Sequence, residues 1–98
     1  MTINKLVDGE NLTIEIEGRL DTTTAPELEK VANESLADIK ELTIDLKKLE
    51  YISSAGLRVV LSMQKKMNTQ GSMIVTNPNE EIMEIFDVTG FTDILNIK

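Results

Sequence analysis

Two adjacent serines open a turn of small residues, Ser53-Ser54-Ala55-Gly56, and no other residues of this chain have a type and spacing better suited to chemistry. A serine ahead of a helical run has a structural use, because its hydroxyl accepts a hydrogen bond from an orphan backbone N–H. The same place suits a modification. A phosphate at a helix N-terminus meets free N–H donors and the positive end of the helix dipole. It would add about −1.5 to −2 charges without unfolding its own helix. Arg58, one turn later, is either a solvated surface residue or a partner for such a phosphate. The remaining catalytic menu is empty. The chain has neither cysteine nor histidine, which excludes a thiol nucleophile, a Ser–His–Asp triad, an imidazole base and a Cys/His metal site. No acidic run has the spacing of a calcium loop, and no Gly-x-x-x-x-Gly-Lys phosphate loop is present. A binding module is expected, not an enzyme, with no cofactor and no metal.

The serine turn needs elements to hold it. A length of 98 residues suits one domain, 1–98. With 41% hydrophobic residues but only 3% aromatic, its core must rest on Leu, Ile, Val and Met. Residues 2–7 predict a weak strand, and Asp8-Gly9-Glu10-Asn11 a hairpin turn. Leu12, Ile14 and Ile16 alternate with Thr13, Glu15 and Glu17 as a half-buried strand does, and Leu42, Ile44 and Leu46 repeat the pattern with Thr43 and Asp45. Between them, residues 18–24 read as a loop. A helix follows, with Thr24 as cap, Pro26 in the first turn and Glu27 at capping-box spacing. A second helix over 54–68 carries a wide apolar arc of Leu57, Val59, Val60, Leu61, Met63 and Met67, and is expected to be the most buried. Gln64 falls inside that arc without explanation. Met73-Ile74-Val75 predicts a short strand, Asn77-Pro78-Asn79 starts a third helix, and Gly90 ends it. A last strand is expected through Ile94, Leu95 and Ile97.

Strands alternating with amphipathic helices imply parallel strands joined by crossovers. Strands covered by helices on both faces read as continuous apolar runs, whereas these alternate. The expected fold is therefore α/β, a mixed and mostly parallel sheet with helices stacked mainly on one face. In such units binding groups gather at the carboxyl ends of strands. Three segments meet that description: Gly18-Arg19-Leu20-Asp21, Asp45 with its following loop, and Ser53-Ser54. The formal net charge of −7 disfavours nucleic acid and anionic membranes and suits a protein partner with a basic or mixed surface. Neither a signal peptide nor a membrane-spanning run is evident, so the expected address is the cytoplasm, without membrane insertion.

Tyr51-Ile52-Ser53-Ser54-Ala55-Gly56-Leu57-Arg58-Val59 resembles the phosphoacceptor segment of bacterial anti-sigma factor antagonists, the STAS domain family. Gly18-Arg19-Leu20-Asp21 with Thr24-Ala25 and Leu28 is similar to that family's first loop and helix. Leu42-Thr43-Ile44-Asp45-Leu46 is similar to its strand before the phosphoacceptor loop. The resemblance implies a βα superhelix and a partner-switching cycle. The unphosphorylated domain binds an anti-sigma factor serine kinase and frees the sigma factor. Phosphorylation releases the domain, and a metal-dependent serine phosphatase resets it. Carried over, the acceptor is Ser54 with Asp21 and Asp45 as acidic neighbours. The family often has Asp just before the acceptor, so Ser53 here is a competing hydroxyl. Arg58 stands where Gly is frequent. The family usually continues into a final helix beyond the position of Lys98, which leaves an edge open to a partner or second copy, so a monomer or weak dimer is expected. The same fold also implies an alternative, an accessory subunit docked on an ABC transporter ATPase.

Overall fold

In the computed structural model, which describes residues 1–98, the alternating stretches are strands and the amphipathic stretches are helices. The chain runs β1 (Thr2–Asp8), β2 (Asn11–Leu20), α1 (Ala25–Ser35), β3 (Glu41–Ile52), α2 (Ser54–Gln70), β4 (Ser72–Thr76) and α3 (Glu80–Thr89), then a 3-10 turn at Phe91–Asp93. The sheet order is β1-β2-β3-β4. β1 pairs antiparallel with β2, while β2, β3 and β4 are parallel.

Alternation decides which side of the sheet the helices cover. Leu12, Ile14, Ile16, Leu42, Ile44, Leu46, Met73 and Val75 are buried, whereas Thr13, Glu15, Thr43, Asp45, Ile74 and Thr76 on the opposite face are only half-buried. Burying one sheet face and one stripe of each helix brings Leu28, Val60, Met63, Met67, Ile82 and Phe86 into a single cluster with the strand residues. That arrangement is the expected α/β sheet with its helices stacked on one face. Seven residues of α2 are buried against three of α1 and two of α3, so α2 is the central helix.

β3 is longer than its alternation indicates. The sequence period predicts a strand over 42–46, yet the strand continues to Ile52. The reason lies in two bulges. Glu15 pairs with Asp45 but Glu17 with Lys48, and Gly18 pairs with Leu49 but Arg19 with Tyr51. Each bulge inserts one extra residue on β3 and resets which side chains face the core. Buried positions therefore fall at Leu46, Leu49 and Ile52, a spacing of three that hides the strand. β2 is extended to match. Its residues 18–20, read above as loop, pair with β3, and Leu20 is fully buried. Gly18, at φ +100°, supplies the left-handed backbone opposite the second bulge.

Two further expectations are corrected. Thr24 occupies the N-cap position of α1 but makes no capping hydrogen bond. Its hydroxyl donates to the Arg19 carbonyl at 2.8 Å and accepts from the Asp21 N–H at 2.8 Å. Nor do the last residues form a strand. Phe91–Asp93 makes a 3-10 turn, packed through Phe91 on Phe86 with ring centroids 6.3 Å apart. Only Ile97 pairs with β4, in an isolated parallel bridge to Val75. Asn79 and Gly90 do cap α3: the Asn79 side chain accepts from the Ile82 N–H at 2.8 Å, and Gly90 adopts φ +81°. No helix is long and apolar enough to cross a membrane.

Candidate functional site

The extended ends of β2 and β3 build the site. Leu20 pairs with Ile52, and one residue on the Ser53 N–H donates to the Leu20 carbonyl at 2.9 Å. Both strands thus stop together, and the chain after each turns into a helix. After β3 the turn is tight because Gly56 lies directly over the strand ends. A Cβ added there would come within 2.7 Å of Leu20 Cγ and 3.0 Å of Ile52 Cγ1. The small-residue run after the serines is therefore a packing requirement, which lets the first turn of α2 rest on the two strands.

The two serines differ in what holds them. Ser53 is the N-cap, in extended conformation at φ −97° and ψ 175°. Its Oγ accepts from the Gly56 N–H at 3.4 Å, and its carbonyl accepts from the Leu57 N–H at 2.9 Å. Ser54 is the first helical residue. It is exposed, and no hydrogen bond within the chain engages its hydroxyl. Arg58 is also exposed and stands four residues on, which on a helix is the same face.

Asp21 opens the other turn. Its Oδ1 accepts from the Thr23 hydroxyl at 2.7 Å, the Thr23 N–H at 3.0 Å and the Thr24 N–H at 3.2 Å. The carboxylate of Asp21, in place of the Thr24 hydroxyl, therefore satisfies the donors ahead of α1. These bonds, the Thr23 hydroxyl foremost, hold its carboxyl below the ordinary carboxylate range. Asp21 accordingly presents a fixed negative charge beside the serine turn.

Asp45 is not part of this constellation. It sits opposite Thr76 at the end of β4, with six residues of β3 between it and Ile52. At about 3.3 Å per residue that is on the order of 20 Å along the strand. The expectation fails because β3 continues through the stretch read as a loop. Asp45 has other work: its Oδ1 accepts from the Lys47 N–H at 3.0 Å and from Asn77 Nδ2 at 3.1 Å. It thereby holds Asn77, which adopts the left-handed φ of +58° that turns the chain from β4 towards α3.

Two residues beside the serines have no role that periodicity or turn chemistry assigns. Arg19 and Tyr51 are register partners, and the Arg19 guanidinium lies over the Tyr51 ring with Cζ 4.4 Å from its centroid. Arg19 Nε also approaches Asp21 Oδ2 at 4.0 Å. A signal for them exists in composition: the chain has only two arginines, Arg19 and Arg58, and one tyrosine, and all three flank the serine turn.

The chain is similar to known proteins in sequence and in fold. A model of the STAS domain matches residues 2–98. The anti-sigma-B factor antagonist of Bacillus subtilis is 33% identical over 93 residues, covering 90% of this chain and 82% of that protein. Among solved structures, an anti-sigma factor antagonist from Mycobacterium paratuberculosis is similar with a TM-score of 0.89 at 23% identity, over 98% of this chain and 83% of that one. The Bacillus cell fate determinant SpoIIAA, solved in its phosphorylated form, is similar with a TM-score of 0.77 at 17% identity, over 99% and 91% of the two chains. These two structural likenesses are likenesses of fold.

Proposed function

This chain belongs to the STAS domain family, and from that premise we propose that it is an anti-sigma factor antagonist switched by phosphorylation at Ser54. In its unphosphorylated form it binds an anti-sigma factor serine kinase and frees the sigma factor. The kinase then phosphorylates Ser54, the complex dissociates, and a metal-dependent serine phosphatase restores the starting state. The domain acts in the cytoplasm.

The observation that carries this reading is the division of labour between the serines. Ser53 is tied by its hydroxyl, its N–H and its carbonyl, whereas the Ser54 hydroxyl is exposed and uncommitted. A kinase can take Ser54 without undoing the cap of α2. Kinship with the anti-sigma-B factor antagonist of B. subtilis supports the antagonist function.

The magnitude of the switch is adequate. A tenfold loss of affinity corresponds to about 1.4 kcal/mol. Like charges forced together at an interface cost several kcal/mol. A phosphate carrying about −1.5 to −2 charges, added beside the fixed charge of Asp21, is enough to eject the domain where the partner sets a carboxylate against it.

Incubation with the anti-sigma kinase and ATP, followed by mapping of the phosphate by mass spectrometry, tests the proposal. Phosphate on Ser54 is expected, and Ser54→Ala should retain kinase binding while trapping the complex. Phosphate on Ser53, or on neither serine, overturns the assignment. Co-purification with a transporter ATPase and no phosphorylation would replace the function altogether.

A further inference from the structure

We infer that Arg19 is the residue that reads the phosphorylation state, leaving Tyr51 and Asp21 for the phosphate once Ser54 is modified. The inference rests on Ser54 being the acceptor and concerns how its modification is registered by the rest of the surface.

Arg19 is weakly held where it is. It is 61% exposed, and its one ionic contact joins Nε to Asp21 Oδ2 at 4.0 Å, the outer limit of such a pair and far from a forked, two-bond geometry. The other contact is the face of Tyr51, which satisfies no N–H donor. A guanidinium carries five N–H donors in a planar fork that matches a phosphate, and here they are left for solvent or a newcomer.

The newcomer would be close by. Arg19 is the register partner of Tyr51, Leu20 of Ile52, and the Leu20 carbonyl receives the Ser53 N–H. The stacked pair therefore lies three residues before Ser54, with Tyr51 the last but one residue of β3. Arg58 approaches from the other side on the same helical face as Ser54. Both arginines of a chain with net charge −7 thus flank one serine, while its eight lysines are spread elsewhere.

Departure of Arg19 would leave the Asp21 turn intact. Asp21 Oδ1 takes the hydrogen bonds from Thr23 and Thr24 that shape that turn, and only Oδ2 faces Arg19. The change is confined to two side chains. Arg19 swings to the phosphate, and the Tyr51 ring is uncovered. Phosphorylation then alters the surface in two ways at once, by adding negative charge and by withdrawing a stacked cation.

The chain provides its own reporter. Tyr51 is the only tyrosine and there is no tryptophan, so tyrosine emission arises from the stacked ring alone. Phosphoserine incorporated at position 54 during synthesis, without any kinase, allows the test on the full chain. Phosphorus NMR should show the second ionisation of the phosphate about one unit below its ordinary value near 6, a tenfold shift. Arg19→Ala should reverse most of that shift, and Arg19→Lys only part of it, because a point charge lacks the fork. Tyr51 emission should differ between the phosphorylated and unphosphorylated forms in the wild type and not in Arg19→Ala. An unchanged ionisation in Arg19→Ala, or identical Tyr51 emission in the two wild-type forms, overturns the inference. Because the phosphate is installed directly, a kinase that ignores Ser54 sinks the proposed function and leaves these readings interpretable.

Discussion

Gly56→Ala is the most searching perturbation of the site, because it adds one methyl group where β2, β3 and α2 meet. The new Cβ would lie 2.7 Å from Leu20 Cγ and 3.0 Å from Ile52 Cγ1. Leu20 and Ile52 are both fully buried, Leu20 Cγ is a branch point, and Ile52 Cγ1 is bonded to the branched Cβ rather than being a mobile tip, so neither can swing aside. Overpacking of this kind costs roughly 1–3 kcal/mol. Alanine is favoured over glycine by up to about 1 kcal/mol within a helix, and by less in the first turn, where Gly56 lies. The net expectation is a loss of about 1–2 kcal/mol. For a domain of this size that lowers the melting temperature by roughly 5–15 °C. Calorimetry or urea denaturation measures it directly. A double-mutant cycle with Leu20→Ala locates the strain: the double variant should be more stable than the sum of the singles predicts, by about 1 kcal/mol. A Gly56→Ala protein as stable as the wild type, or a cycle without coupling, would refute the claim that the close approach holds the serine turn. The same variant should also be phosphorylated more slowly, although Ser54 itself is untouched.

The other expectations follow from single contacts. Ser53→Ala should lower stability by about 0.5–1 kcal/mol, the low end for a cap because its bond is long; Ser54→Ala should stay within about 0.5 kcal/mol of wild type, by chemical denaturation. Asp21 has a carboxyl held below its unfolded value, so its contribution is present above that value, near about 3.9, and is lost as pH falls through the folded one. The stability gap between wild type and Asp21→Asn should accordingly be widest near neutrality and close in acid, and a gap that widens in acid would contradict the hydrogen-bond assignment. Gln64 is 94% buried with Oε1 lacking any partner while its Nε2 bonds to Asn68, so Gln64→Leu should raise stability by about 1 kcal/mol. Asp45→Ala should cost about 1 kcal/mol through release of Asn77, with the rate of Ser54 phosphorylation unchanged.

The alternating runs at Leu12–Ile16 and Leu42–Leu46 were enough to read a sheet covered on one face, since a period of two can bury only one side. The serine turn, its place after a strand and its neighbour Asp21 were equally legible, being contiguous in the chain or set by a parallel crossover. Asp45 was misread for a specific reason. The bulges at Leu46-Lys47 and Glu50 break the period, so a strand that runs on to Ile52 looks like a strand followed by a loop. Thr24 was misread because a hydroxyl at capping distance can turn towards another partner, and here the Arg19 carbonyl and Asp21 N–H claim it. The C-terminal residues carry strand-like Ile94, Leu95 and Ile97, but packing of Phe91 on Phe86 winds the chain into a turn before it reaches β4.

Local pattern by itself determined the class of fold, the exclusion of cysteine and histidine chemistry, and the pair of serines at the head of a helix. Tertiary structure decided which serine is free. A sequence shows two adjacent hydroxyls of equal chemistry, and only the path of the chain over Leu20 and Ile52 ties Ser53 down as the cap and turns Ser54 outwards. It also decided the company the serines keep, because register across two bulges brings Arg19 onto Tyr51 and leaves Asp45 in mid-strand, well short of Ile52. Periodicity is a property of neighbours in the chain, whereas these contacts belong to residues about 30 apart that only pairing of strands brings together.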